Sequence, residues 1–168
     1  MNVIDIHPLS WEGLLCCFLS GIIVGLERQL RGKPVGMRTN ALVCIGTYVF
    51  VAMAQHVSTD MTDPSRIVGQ VVTGIGFLGA GVILARHGAV VGVTSASAIW
   101  VLAAIGVVIG SGFPWLGVKL ALLTVLILVG VEFVEKRAGP VKQGVRDKLK
   151  GQSGREEGDP PQDSDDWE

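Results

Sequence analysis

Residues that could do chemistry concentrate in two places in this chain of 168 residues. The first is a short charged segment in which Glu27 is followed by Arg28, Arg31, Lys33 and Arg38. Because Glu27, Arg28 and Arg38 stand where two apolar stretches meet, they could form an ion-pair latch, a site for an anion or a lipid headgroup, or a docking surface. The sequence leaves these three interpretations open.

The second place is a polar stripe made by Asp63, Arg66, Gln70 and Thr73, which recur at helical spacing. In hydrocarbon an unpartnered polar group costs on the order of one to several kcal/mol, so we expect the stripe to face a bundle interior or an aqueous crevice. One interpretation is a vestibule for an ion or substrate, or a partner contact. The other is structural, with Asp63 capping a helix and Gln70 forming an interhelical hydrogen bond.

Glycines form a G-x-G-x-x-G pattern at Gly74, Gly76 and Gly79. In nucleotide-binding proteins this pattern lies between a strand and a helix and holds a pyrophosphate. Here it falls inside an apolar stretch, and no acidic residue follows about twenty positions later, as the ribose contact requires. We therefore interpret it, together with Ala80 and Gly81, as a flat helix face that lets another backbone approach.

Small residues four positions apart support helix packing elsewhere, because this spacing places them on one helix face. The pairs are Gly21 with Gly25, Gly76 with Ala80, and Gly106 with Gly110. Their recurrence predicts close helix–helix contacts in a tightly packed bundle.

No catalytic constellation is evident in the sequence. The hydroxyls at positions 94, 95 and 97 have no neighbouring histidine or carboxylate, and no P-loop is present. The cysteines form no C-x-x-C pair and the histidines are scattered, so a zinc site is not expected. We predict a protein that is not an enzyme, has no cofactor and binds no nucleic acid.

The elements that position these residues follow from the distribution of charge. Five stretches contain no Asp, Glu, Lys or Arg: residues 13–26, 39–55, 67–85, 88–118 and 120–131. A soluble fold needs a polar face on its helices, whereas about 17–25 apolar residues are enough to cross a bilayer. The sequence predicts an all-α polytopic membrane bundle of about five helices. Their expected ranges are 10–26, 39–55, 63–85, 94–110 and 114–134.

Charge in the connecting segments predicts the orientation. The segment 27–38 and the region after the fifth helix are basic, whereas the segment 56–66 contains Asp60, Asp63 and only one arginine. Because positive segments remain on the cytoplasmic side, we expect the N-terminus outside and the C-terminus inside. We also expect three regions: a membrane bundle over residues 1–138, a basic juxtamembrane segment over 139–150, and a disordered acidic tail over 151–168.

Several motifs together resemble the MgtC/SapB family of bacterial inner-membrane proteins. They are GIIVGLERQ (21–29), GKPVGMRT (32–39), DPSR (63–66), QVVTGIGFLGAG (70–81) and TSASAIW (94–100). The resemblance covers residues 9–134. Longer members carry a soluble domain after the last helix, and we expect this chain to have only the basic segment and acidic tail there.

The resemblance implies a multi-pass protein of the bacterial inner membrane that is not an enzyme. Family members are associated with adaptation to low magnesium and, in intracellular pathogens, with survival in the host. For this chain we expect a role in adaptation to magnesium limitation or to acid and host stress. The implied mechanism is binding and regulation of other membrane proteins, the ATP synthase among them, and a homo-oligomer is a further option. The alternative function is a magnesium transporter or channel that uses the polar stripe.

Overall fold

The structure is a computed structural model, and it describes residues 5–57, 65–86 and 89–137. Five α-helices account for most of them, and two short strands lie between the third and fourth helices. The elements are α1 (Trp11–Leu30), α2 (Met37–Val57), α3 (Ser65–Val82), β1 (Leu84–Arg86), β2 (Ala89–Val91), α4 (Val93–Gly110) and α5 (Pro114–Arg137).

All five helices are long and apolar enough to cross a membrane. The predicted all-α membrane bundle is therefore confirmed, while the placement of the termini stays a prediction. Large apolar side chains cover the outside of the helices; Phe77 is 81% exposed and Leu126 is 69% exposed. Such a continuous apolar surface is favourable only when lipid surrounds it, since water would make its exposure costly.

The N-terminus of α1 forms as the sequence predicts. Ser10 is the N-cap, and its Oγ accepts a hydrogen bond of 3.0 Å from the Gly13 backbone N–H. Glu12 lies in the first turn, where a carboxylate is favoured by the helix dipole. The hydroxyl of Tyr48 accepts a further bond of 2.8 Å from the Ser10 N–H, which ties this end of α1 to α2.

Several predicted helix ends differ from the structure by a few residues, and two of these differences have a clear physical cause. The first helix continues beyond Leu26 to Leu30, because Glu27 and Arg31 pair one turn apart and stabilise the added turn. The third helix ends at Val82 rather than at residue 85, and an antiparallel pair of strands follows, with Leu84 opposite Val91. These strands were not predicted, because a strand of three residues is too short to show an alternating pattern.

Gly92 explains how the strands lead into α4. Its φ is +92°, a left-handed conformation that residues with a side chain rarely adopt. A Cβ at this position would also overlap the Val82 carbonyl oxygen at the end of α3. Glycine thus allows β2 to return to α3 and α4 to begin at Val93.

The core is built by α1, α2 and α4, which all contact one another. Its fully buried side chains include Val24, Leu102 and Ile105, together with all three cysteines of the chain. In α3, only Gly79 is buried. Ala121 of α5 also belongs to this core, and α3 contacts mainly α4.

The chain divides into two compact units, Met1–Leu128 and Val129–Glu168. Of the second unit, the structure describes the final turns of α5, where the Arg137 guanidinium lies 5.2 Å from the centre of the Phe133 ring. The predicted basic segment 139–150, the acidic tail 151–168 and the Asp63 cap lie outside the described residues. All three remain predictions.

Candidate functional site

The charged segment after α1 is held in place by two glycines of the α1–α2 interface. A Cβ at Gly21 would overlap the backbone of Ala41, and one at Gly25 would lie 2.5 Å from the Met37 Cα. Only glycine allows the two backbones to approach this closely. Because Arg28 follows Gly25 by three residues, it lies on the same face of α1, one turn further along.

Glu27 is the centre of an ion-pair cluster, which we define as Glu27, Arg28 and Arg31. Arg28 donates two hydrogen bonds to the Glu27 carboxylate, from Nε at 2.6 Å and from Nη2 at 2.9 Å. Arg31 Nε lies 2.8 Å from Glu27 Oε1, the oxygen that also accepts from Arg28 Nη2. Glu27 is 7% exposed and Arg28 is 3% exposed, so water screens this pair little.

The cluster and its surroundings contain buried polar atoms without a described hydrogen-bond partner. Arg28 Nη1 is one, and the Asn40 Oδ1 and Ser20 Oγ atoms are others. Asn40 is fully buried, and its amide nitrogen donates to the Val35 carbonyl oxygen at 3.1 Å. Val35 itself has φ of +69°, an uncommon conformation for a β-branched residue, so the segment leading into α2 is strained.

The structure changes the membership of the predicted cluster. Glu27 and Arg28 are brought together as expected, but Arg38 is exposed on the first turn of α2 and takes no part in the ion pairs among the described residues. Arg31 instead pairs with Glu27, and it was not among the residues predicted for this cluster. The four-residue spacing from Glu27 to Arg31 is the signal that could have identified it.

The polar stripe lies mainly on the surface of α3. Arg66, Gln70 and Thr73 are exposed, and Thr73 Oγ1 donates to the Gly69 carbonyl oxygen at 3.0 Å. Gln70 lines an open groove of about 600 Å³ between α2 and α3, whose other lining residues are almost all apolar. The stripe therefore does not face the interior of the chain as described.

The small-residue pairs differ from helix to helix. A Cβ at Gly106 would lie 2.7 Å from the Thr47 Cβ, and one at Gly110 would lie 2.8 Å from the Val51 Cβ, so α4 packs closely on α2 there. Gly79 faces Ala96 of α4 at ordinary contact distance.

The rest of the small face of α3 is free. A Cβ placed at Gly74, Gly76 or Gly81 would meet no atom within 4 Å, and Ala80 is exposed. The packing predicted for these four residues is not packing within this chain, as far as the structure describes it.

Metal ligands are sparse in the described parts of the chain. No group of three His, Cys, Asp or Glu side chains lies close enough together there to hold a metal ion. The three cysteines are buried in apolar surroundings. Among the described residues, two guanidinium groups lie close together at the α1–α2 end, those of Arg28 and Arg31.

Five apolar helices long enough to cross a bilayer, with a buried ion pair at the C-terminal end of α1, define a polytopic α-helical membrane protein. Residues 14–137 match the model of the MgtC family. The chain belongs to the MgtC family.

Curated relatives come from several bacteria. The chain is 47% identical over 112 residues to the "Putative magnesium transporter YhiD" of Escherichia coli K12, an alignment covering 62% of this chain and 52% of the relative. It is 39% identical over 155 residues to protein SrpB of Synechococcus elongatus, covering 82% and 85%. It is 45% identical over 95 residues to protein MgtC of Brucella abortus, covering 56% and 40%.

The chain spans about half the length of the first relatives it matches. No solved structure matches it significantly.

Proposed function

We propose that the protein is a non-enzymatic component of the bacterial inner membrane that supports adaptation to magnesium limitation or to acid and host stress. It acts by binding and regulating other membrane proteins. Relatives named MgtC and a relative named for magnesium transport support the link to magnesium. The family's multi-pass membrane character supports the location.

The free face of α3 is the observation that carries this proposal. Gly74, Gly76 and Gly81 have no neighbour within 4 Å, and the groove beside them exposes the amide of Gln70. In lipid, helices associate through small residues that allow close approach and through polar side chains that hydrogen-bond across the interface. A transmembrane helix of another protein fits these requirements, and the ATP synthase is one candidate partner.

A pair of glycine substitutions tests the proposal. Gly74→Leu fills the groove of α3, whereas Gly130→Leu adds the same side chain to α5 at a position that also has no neighbour within 4 Å. Both variants should fold, since a Cβ at either position meets no atom of the described chain within 4 Å. Growth at low magnesium should fall only with Gly74→Leu, and equal growth of the two variants would contradict the proposal.

Crosslinking identifies the partner directly. A photoreactive residue at Phe77, which is 81% exposed on α3, should capture another inner-membrane protein from native membranes under magnesium limitation. The matched position is Leu126, 69% exposed on α5, which should capture mainly lipid. Capture of only lipid or of this same chain from Phe77 would count against the regulatory function.

The alternative function is transport of a divalent cation along the stripe that includes Asp63, Arg66, Gln70 and Thr73. The name of the Escherichia coli relative favours it, as does the exposure of Gln70 in the groove. Purified protein in proteoliposomes separates the two functions. The regulatory proposal expects no magnesium flux, whereas saturable flux that Asp63→Asn abolishes and Asp60→Asn leaves intact would establish transport.

The proposal also includes the orientation of the chain in the membrane. The excess of arginine and lysine in the segment 27–38 predicts that this segment lies on the cytoplasmic side. A cysteine replacing Lys33, which is exposed, should react with an impermeant maleimide only after the inner membrane is opened. The three native cysteines are buried and give little background. Labelling in intact cells would reverse the assignment.

A further inference from the structure

The segment 27–38, which we call the α1–α2 joint, holds more positive charge than its one carboxylate can balance. Its charged residues are Glu27, Arg28, Arg31, Lys33 and Arg38, so that one carboxylate and four cations leave a net charge of +3. Glu27 is already shared by Arg28 and Arg31. The excess charge is carried mainly by Lys33 and Arg38, which are exposed, and it gives the surface around the buried Glu27–Arg28 pair a positive potential.

Arg28 indicates where at the joint an anion would bind. Its side chain is 97% buried, since only 3% is exposed, and Nη1 has no hydrogen-bond partner. The other two nitrogens of the guanidinium are occupied by Glu27. An unpartnered nitrogen on a buried charged group calls for an acceptor, and a guanidinium is best matched by the oxygens of a carboxylate or phosphate.

The N-terminus of α2 lies beside Arg28. The contact of Gly25 with Met37 places the start of α2 against α1, and Arg28 lies one turn further along the same face. The first helical hydrogen bond of α2 runs from the Asn40 N–H to the Gly36 carbonyl, so the three preceding N–H groups have no helical acceptor. No acidic residue lies in this first turn, although a carboxylate there would be favoured.

The C-terminus of α1 does not cancel the attraction of the α2 N-terminus for an anion. Carbonyl groups at the C-terminus of α1 carry partial negative charge, but those of Glu27, Arg28 and Gln29 accept hydrogen bonds from the backbone N–H groups of residues 31, 33 and 32. N–H groups without a helical acceptor at the start of α2 and an unpartnered guanidinium nitrogen of Arg28 thus both belong to the α1–α2 joint. Together they form the usual recognition elements for an anion.

We propose that the α1–α2 joint binds one phosphate-type anion between the Arg28 guanidinium and the N-terminus of α2. The ligand is a phosphodiester or phosphate monoester group, supplied either by an anionic lipid headgroup or by a soluble phosphate. Lys33 and Arg38 are exposed at the joint and attract the anion. This site is separate from the α3 face, so it does not depend on the proposed partner function.

The first experiment uses the full chain purified in detergent, with two probes. Native mass spectrometry in the presence of phosphatidylglycerol and phosphatidylcholine measures lipid retention. Thermal unfolding with inorganic phosphate, compared with chloride at equal ionic strength, measures soluble anion binding. Preferential retention of phosphatidylglycerol indicates a headgroup, and saturable stabilisation by phosphate indicates a soluble ligand. The absence of both effects would overturn the proposal.

Arg28→Lys locates the site. Lysine keeps the positive charge next to Glu27 but lacks the guanidinium fork, so it cannot hold Glu27 and an anion in the same way. We expect about ten-fold weaker binding of whichever probe the wild type binds, the cost of one charge-assisted hydrogen bond. A purely structural latch would leave probe binding unchanged, and that result would overturn the proposal.

Arg38→Gln provides a second variant that does not disturb the ion-pair cluster, since Arg38 is exposed. It should weaken binding about two- to five-fold, because it removes one charge from a partly screened site. The matched control is Lys119→Gln, which removes an exposed charge from α5 and should leave binding unchanged. If Arg28→Lys does not fold, equal binding by Arg38→Gln and Lys119→Gln refutes the proposed location.

Discussion

The α1–α2 pair and α3 are both apolar membrane helices, yet they use glycine in opposite ways. In the pair, Gly21 and Gly25 touch the backbone of α2 so closely that a Cβ has no room. In α3, Gly74, Gly76 and Gly81 face open space. The same residue type thus closes one interface completely and leaves another surface free.

Polar side chains differ in the same way between the α1–α2 pair and α3. Glu27 and Arg28 are buried and paired at the end of α1, whereas Arg66, Gln70 and Thr73 are exposed on α3. The difference teaches that the end of α1 is covered by contacts within the chain, whereas much of the α3 surface is left uncovered. The surface of α3 contributes little to the stability of the chain and is available for contacts with other molecules.

The largest expected effect comes from Glu27→Gln. It leaves two guanidinium groups at a largely buried site without their shared counter-charge, a change that costs about 3–5 kcal/mol of unfolding free energy. Titration with SDS of the protein in detergent micelles measures the loss. The control is Glu12→Gln, an exposed carboxylate at the other end of α1, which should cost about 0.3–1 kcal/mol through the helix dipole. Equal losses would show that burial of Glu27 has no energetic consequence.

Gly21→Val should follow in size. A valine side chain would overlap the backbone of Ala41, and backbone cannot rotate away, so we expect a loss of about 3 kcal/mol or more. Gly74→Val is the matched substitution on α3 and should leave stability almost unchanged. The same SDS titration compares the two variants. If both are equally stable, the contrast between the two glycine surfaces is wrong.

Tyr48→Phe should have a moderate effect. It removes the hydroxyl that binds the N–H of Ser10, so we expect a loss of about 0.5–1.5 kcal/mol. Combining it with Ser10→Ala in a double-mutant cycle should give less than the sum of the two losses, because both substitutions remove the 3.3 Å contact between Ser10 Oγ and the Tyr48 hydroxyl. Strict additivity would argue that the two residues act independently.

Gln70→Leu should have the smallest effect on stability. The amide is exposed in the groove, so its removal should change the unfolding free energy by no more than about 0.5 kcal/mol. Crosslinking from Phe77 to a partner should nevertheless decrease, because a hydrogen bond across the α3 interface is lost. A large loss of stability would show that Gln70 serves the fold rather than a partner.

Much of the fold could be predicted because hydrocarbon imposes simple rules. Spans need length and apolarity, and their ends carry caps and charges, so Ser10, Gly110 and Pro114 identify three helix boundaries directly. The strands β1 and β2 could not be predicted in this way. Three residues are too few to show an alternating pattern, and the pairing of Leu84 with Val91 is a tertiary contact with no local signal.

The candidate site could be predicted only in part. Glu27 and Arg28 stand together in the sequence, but the choice between Arg31 and Arg38 as their neighbour depended on how far α1 continues. Ser20 and Asn40 gave no signal at all. Their burial arises from the approach of two helices and not from any local pattern.

The sequence by itself determined that the chain is a five-helix membrane protein, since the placement of charge allows few other solutions. It also determined where small residues permit close contacts. Only the tertiary structure decided which of those contacts are made within the chain, because each depends on the face that a neighbouring helix presents. For the same reason, the tertiary structure alone shows that Arg28 is buried with a free nitrogen and that the small face of α3 is open.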